Sequence, residues 1–134
     1  MSGKAHQLVS SGSPYESKVG YSRAVRVDNL VFVSGTTAAS GGKPVAIGDP
    51  EAQTRAIFET IDAALKDAGA SLKDVVRTRV YLTDMAHFEG MAKVHGEVFG
   101  AIRPANTTLA VTGFISSDWL VEIEVGAVVT EGAA

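Results

Sequence analysis

The chain has no cysteine in 134 residues. Disulfides, thiolate nucleophiles and cysteine-held metals are therefore excluded. Histidine is scarce too: His6, His87 and His95 are all there are, and none has a partner at metal-ligand spacing, so no metal site is expected. Positive charge is not in excess. Twelve Lys and Arg stand against fifteen Asp and Glu, a formal net charge of −3, where nucleic-acid and anionic-lipid binders carry a basic surface. No apolar run approaches the ~18 residues of a membrane span. The opening stretch "MSGKAHQLVSSGSPYE" holds no apolar run of signal-peptide length. These absences give the expectation of a cytoplasmic protein. What is present suits one domain, since 46% apolar and 20% charged residues over this length permit a real core.

Residues 1–18 are rich in Ser, Gly and Lys and read as partly loose. In "SRAVRVDNLVFVSG", Asp28-Asn29 separates two β-branched segments and predicts a hairpin. "TTAASGGKPVAIGDP" reads as a loop from its Gly and Pro content. Asp49 then suits an N-cap and Pro50 a first helical position. Ile57, Phe58, Ile61, Ala64, Leu65 and Ala68 make one helical stripe, and Gly69 suits the C′ position. Ser71 to Asp74 can form a short capped turn. "VVRTRVYLT", 75–83, predicts a strand with Val76, Thr78, Val80 and Leu82 on one face and Arg77, Arg79 and Tyr81 on the other. Asp84 caps a second predicted helix, 85–99, with Phe88, Met91, Ala92, His95 and Phe99 as its apolar stripe and Gly100 at its end. Strands follow at about 106–112 and 119–129, the latter with Val121, Ile123, Val125, Ala127 and Val129 on one face.

The order β-β-α-β-α-β-β has too few helices to cover both faces of a sheet. It predicts an α+β fold with both helices on one face, in a single domain spanning 1–134. The uncovered face would carry Arg77, Arg79 and Tyr81 together with Leu120, Glu122, Glu124 and Val128. Charge mixed with large apolar groups is unlike a plain solvent face, and burial against further copies of the chain would account for it. A homo-oligomer is expected.

The strand order and length, with "VFVSG" after the hairpin, "VVRTRVYLTDM", "RPA" before the fourth strand and "VEIE" in the fifth, together resemble the RidA/YjgF family from about residue 19 to 129. Each is weak alone; their order is specific. The resemblance implies a chorismate-mutase-like homotrimer with sheets around a central barrel and ligand clefts between subunits. It also implies hydrolysis of the reactive enamines or imines that pyridoxal-phosphate enzymes release, giving a 2-oxo acid and ammonia with no cofactor. By position, Glu122 matches the glutamate associated with water activation, Tyr21 a tyrosine ahead of the first strand, and Ser34 and Gly35 the serine-glycine after the second. Asn106 stands where active members carry an arginine that clamps the substrate carboxylate bidentately. Ala92 replaces a ligand-contacting asparagine, and the loop before Pro104 is short. The resemblance is therefore to a branch lacking the clamp, with weak or no activity expected on amino-acid-derived imines.

Each candidate has a plainer reading. Arg103 can replace the missing clamp or lie solvated on its loop. Glu122 can activate water or pair with Arg77 and Arg79 inside an oligomer. Tyr21 can position a ligand or close the N-terminal segment over the sheet. His95 reads as a core or interface histidine and Trp119 as packing. "SGG" at 40–42 lacks the strand–loop–helix setting of a phosphate loop. Three classes of function stand: an enzyme on a small imine, enamine or related metabolite; a non-catalytic binder of a small molecule, carboxylate or other; and a ribonuclease. The acidic balance and the lack of a basic stripe weigh against the last.

Overall fold

A computed structural model describes residues 6–130. Along the chain run β1 (Gln7–Val9), α1 (Pro14–Val19), β2 (Ala24–Val27), β3 (Leu30–Thr36), β4 (Ala39–Ser40), β5 (Lys43–Pro44), α2 (Pro50–Asp67), β6 (Val75–Leu82), α3 (Phe88–Phe99), β7 (Ala105–Ala110) and β8 (Val121–Val128). Single 3₁₀ turns precede β6 and α3. One six-stranded sheet has the order β1-β2-β3-β8-β6-β7. Neighbours are antiparallel except β6 and β7, which run parallel because α3 carries the chain between them. Helix α2 packs on α3, β3 and β8, so both long helices cover one face, the α+β arrangement expected. No helix among the described residues is long and apolar enough to cross a membrane.

The core follows from alternation on the strands and the stripe on α2. Val31, Val80, Leu82, Val121 and Ile123 meet Ile57, Ile61 and Leu65, all fully buried. Two polar side chains of α2, Gln53 and Thr54, are buried with them. Gln53 donates to the carbonyls of Ala46 and Asp118 and accepts from the Leu120 N–H, tying the approach to β8 onto α2.

The structure corrects four expectations. Residues 1–18, read as partly loose, are built into the fold from Gln7 onward; residues 1–5 lie outside the described region. β1 adds to β2, and α1 starts at a Ser13 cap with Pro14 in its first turn, two start signals the composition hid. Residues 36–50 are not all loop. Gly41 and Gly42, with φ of 60° and 82°, form the two-residue turn of the β4–β5 hairpin, a conformation open to glycine at little cost. Val76 is exposed and Val75 buried, because β6 spends one extra residue between its pairings with Ala127 and Gly126, and this bulge reverses the face of everything before it. The second helix begins at Phe88 after a 3₁₀ turn, which leaves Phe88 exposed, and its buried residues are Met91, Val94 and Phe99.

The uncovered sheet face carries the predicted mixture. Arg79 pairs with Glu124 at 3.5 Å and the Tyr81 hydroxyl donates to the same carboxylate, while Leu30, Phe32 and Val76 stand exposed.

Candidate functional site

The site grows from a defect in the β3–β8 ladder. Val33 pairs with Val125 and Thr36 with Ile123, so β3 fits three steps where β8 takes two. The surplus falls at Ser34-Gly35, and such a bulge re-aims side chains. The glycine there leaves room for the Glu122 carboxyl. A Cβ on Gly35 would lie 2.5 Å from Glu122 Oε2, so the carboxyl occupies the room a side chain would have filled.

Arg23, which the sequence reading passed over, organises this corner. It is 6% exposed, and one of its terminal nitrogens donates to the Gly35 carbonyl at 2.8 Å and to Thr36 Oγ1 at 3.0 Å. The other donates to the Tyr21 hydroxyl at 3.1 Å. Because Tyr21 accepts from Arg23, its own proton is left to donate to a ligand. Behind Arg23 the buried Glu16 faces Nε at 3.6 Å and accepts from the Ser10 and Ser11 hydroxyls and the Ser11 N–H, which ties α1 to the sheet. Burial raises the Glu16 pKa, but those hydrogen bonds and the Arg23 charge outweigh it and hold the carboxyl below its usual range. Glu122 moves the opposite way. Burial pushes its carboxyl up; Arg23 pulls it back and Glu124 adds to the rise.

These groups share a cavity of about 340 Å³, within the usual size of ligand sites. Tyr21, Arg23, Gly35 and Glu122 line it on one side, with Tyr15 of α1, Trp119 and the β4–β5 turn closing it on another. Trp119 is buried, its indole N–H donating to the Ala38 carbonyl, so the packing role expected of it holds and it forms part of the wall as well. The signal for Arg23 was its place one residue before the buried Ala24 of β2, where a cation is costly without partners. Partners distant in sequence made it legible only in three dimensions.

Of the predicted site residues, the structure brings Tyr21, Gly35 and Glu122 together. Ser34 sits on the same bulge, but its hydroxyl donates to the Ser22 carbonyl and does not line the cavity. Asn106 and Arg103 lie elsewhere in the subunit. Asn106 is on edge strand β7, its amide donating to Thr78 Oγ1 at 2.9 Å and its oxygen accepting from Thr108. Arg103 donates to the Gly100 carbonyl beside its own loop. Thr78 also meets His95 Nε2 at 2.9 Å; because Thr78 accepts from Asn106, its own proton points to an unprotonated Nε2. His95 lies against Phe58 and Phe99, and burial lowers its pKa, as suits a core histidine. Ala92 is partly buried on α3.

Comparison with known proteins agrees with this architecture. The family model described as Endoribonuclease L-PSP matches residues 12–129. An uncharacterized protein of Streptomyces coelicolor is 40% identical over 127 residues, covering 95% of each chain. The 3-aminoacrylate deaminase RutC of Acinetobacter baylyi is 39% identical over 104 residues, 77% of this chain and 82% of that one. Among solved structures, Rv2704 of Mycobacterium tuberculosis, a member of the YjgF/YER057c/UK114 family, superposes with a TM-score of 0.85 at 47% identity, over 93% of this chain and all of that one. By family match, identity and fold, this chain belongs to the RidA/YjgF family.

Proposed function

We propose that the chain binds a small metabolite in the Glu122 cavity and hydrolyses a reactive imine or enamine there. The observation that carries this is the setting of Glu122, a carboxyl of raised pKa held against the β3 bulge in a cavity it shares with a tyrosine hydroxyl that has a proton to give. An iminium carbon is already electrophilic, so the site needs only to orient water and manage protons. In the reaction the Glu122 carboxylate takes a proton from water as the oxygen bonds to the imine carbon. It then returns that proton to the nitrogen and takes the hydroxyl proton as the C–N bond breaks, leaving a carbonyl and ammonia, which carries the last proton away as ammonium. An enamine first takes a proton at carbon from the Glu122 carboxyl to become the iminium, which leaves Glu122 as the carboxylate for the hydration step. Tyr21 steadies the polar end of the ligand. A relative named for deaminating 3-aminoacrylate, an enamine, supports the reaction class.

The chain is read as acting in a homotrimer, with its charged and apolar sheet face turned to the barrel interior and its clefts completed across subunits. Asn106 in place of the clamp, already bonded to Thr78, makes imines derived from amino acids poor substrates. That same bond favours the second reading, a non-catalytic binder. The assay generates 2-iminopropionate or 2-aminoacrylate in situ with an amino-acid oxidase or serine dehydratase and traps it with semicarbazide. Weak protection by the wild type, lost in Glu122→Gln, is expected. Equal protection by both proteins would refute the catalytic role of Glu122.

A further inference from the structure

The cavity has a second wall that imine hydrolysis does not use. Tyr15 meets Trp119 edge to face, ring centroids 6.4 Å apart, and the one polar atom of the indole is already spent on Ala38. Beside them Ile115 lines the cavity while 74% exposed. This wall is held in place. The β4–β5 turn packs so closely on α1 that a Cβ on Gly42 would come within 2.8 Å of the Pro14 ring.

The charges of the cavity point the same way. Among the described residues lining it, Arg23 is the one cation and Glu122 the one anion. Arg23 already donates to Gly35, Thr36 and Tyr21, and Asn106 and Arg103 are bonded elsewhere in the subunit. Within the subunit a ligand carboxylate would meet Glu122 with Arg23, three of whose N–H groups are already engaged, as the one counter-charge. Size agrees: at about 340 Å³ the cavity lies in the range of sites for small organic ligands and leaves room beyond a three-carbon imino acid.

We infer that ligands are held by an apolar end: the cavity takes the imine or enamine of a compound with an aromatic or branched aliphatic substituent, packed against Tyr15, Trp119 and Ile115. The choice of reacting group rests on the hydrolytic reading above; the apolar end does not.

Binding of stable ketones separates the two. Acetone, phenylacetone and pyruvate are titrated into the wild type, Ile115→Ser and Glu122→Gln, followed by NMR shifts of the backbone amides. Phenylacetone is expected to bind on the order of tenfold to a hundredfold tighter than acetone, the effect of burying one aromatic ring. Pyruvate should bind no better than acetone. Ile115→Ser removes an exposed side chain that the fold does not need, and should weaken phenylacetone about threefold to tenfold while leaving acetone unchanged. Phenylacetone no tighter than acetone, pyruvate tighter than phenylacetone, or an unaltered Ile115→Ser variant would each overturn the inference. Retention of the phenylacetone preference in Glu122→Gln supports it. That preference without imine turnover would sink the hydrolytic reading alone, and turnover without it the inference alone.

Discussion

A methyl group on Gly35 would be aimed at the Glu122 carboxyl, 2.5 Å from Oε2, 3.1 Å from Cδ and 3.4 Å from Cγ. Something must move, and the freest of these atoms is the carboxyl. Its displacement by about 1 Å would be enough to cost on the order of a hundredfold in rate for a group that must meet water in one geometry. The effect on folding is expected to be small. Gly35 does not need a left-handed backbone, so Ala recovers about 0.4–1 kcal/mol from the unfolded chain. That offsets part of an overpacking cost of about 1–3 kcal/mol, at the low end because a side-chain tip yields. Gly35→Ala should therefore remain within about 2 kcal/mol of wild type in urea while losing imine hydrolysis. Gly96→Ala is the control: it sits in α3 with no atom near its added Cβ and should stabilise by about 1 kcal/mol without touching activity. Wild-type activity in a folded Gly35→Ala protein would refute the claim that this corner confines the Glu122 carboxyl.

Asn106→Arg should improve protection against 2-iminopropionate by up to about a hundredfold, the gain from a charge-assisted bond of roughly 3 kcal/mol. It breaks the tie to buried Thr78, so a loss of about 1 kcal/mol in urea should accompany it, and no gain in activity would mean the cleft does not present position 106 to ligand. Arg23→Gln strands Glu16 and three acceptors; a loss of about 3–5 kcal/mol is expected, and a change under 1 kcal/mol would show the network to be dispensable. Glu122→Gln should lose activity yet gain stability at neutral pH. A carboxyl raised above 4.5 on folding contributes stability below its unfolded value that is lost as pH rises through its folded one, and the amide has no such loss. His95 has the opposite sign: lowered below 6.5, it contributes stability above that value that is lost as pH falls through its folded one, so His95→Phe should flatten the mildly acidic limb of the urea midpoint. Sedimentation at micromolar concentration should give a trimer, and a stable monomer would remove the barrel.

Much of this was legible in the residues themselves, because it depends on neighbours in sequence. The α2 stripe from Ile57 to Ala68, the Asp49-Pro50 start and the alternation of Val121 to Ala127 are set by local geometry, and the helices and main strands formed where those patterns lay. Glu122 and Tyr21 were singled out from the chain alone, through motifs whose order is specific, and the fold brings both to one cavity. What escaped was whatever depends on one residue more or less between distant partners. The bulge at Val76 changed which valine was buried, and the bulge at Ser34-Gly35 turned a glycine into the seat of a carboxyl; neither shows in a pattern of period two. Arg23 looked like any cation at a strand start until folding placed Gly35, Thr36, Tyr21 and Glu16 around it. Asn106 read as standing where a carboxylate clamp is needed, and tertiary pairing of β6 with β7 brings its amide to Thr78 within the subunit. Local propensity chose the elements; register and long-range hydrogen bonding decided which side chains face the cavity.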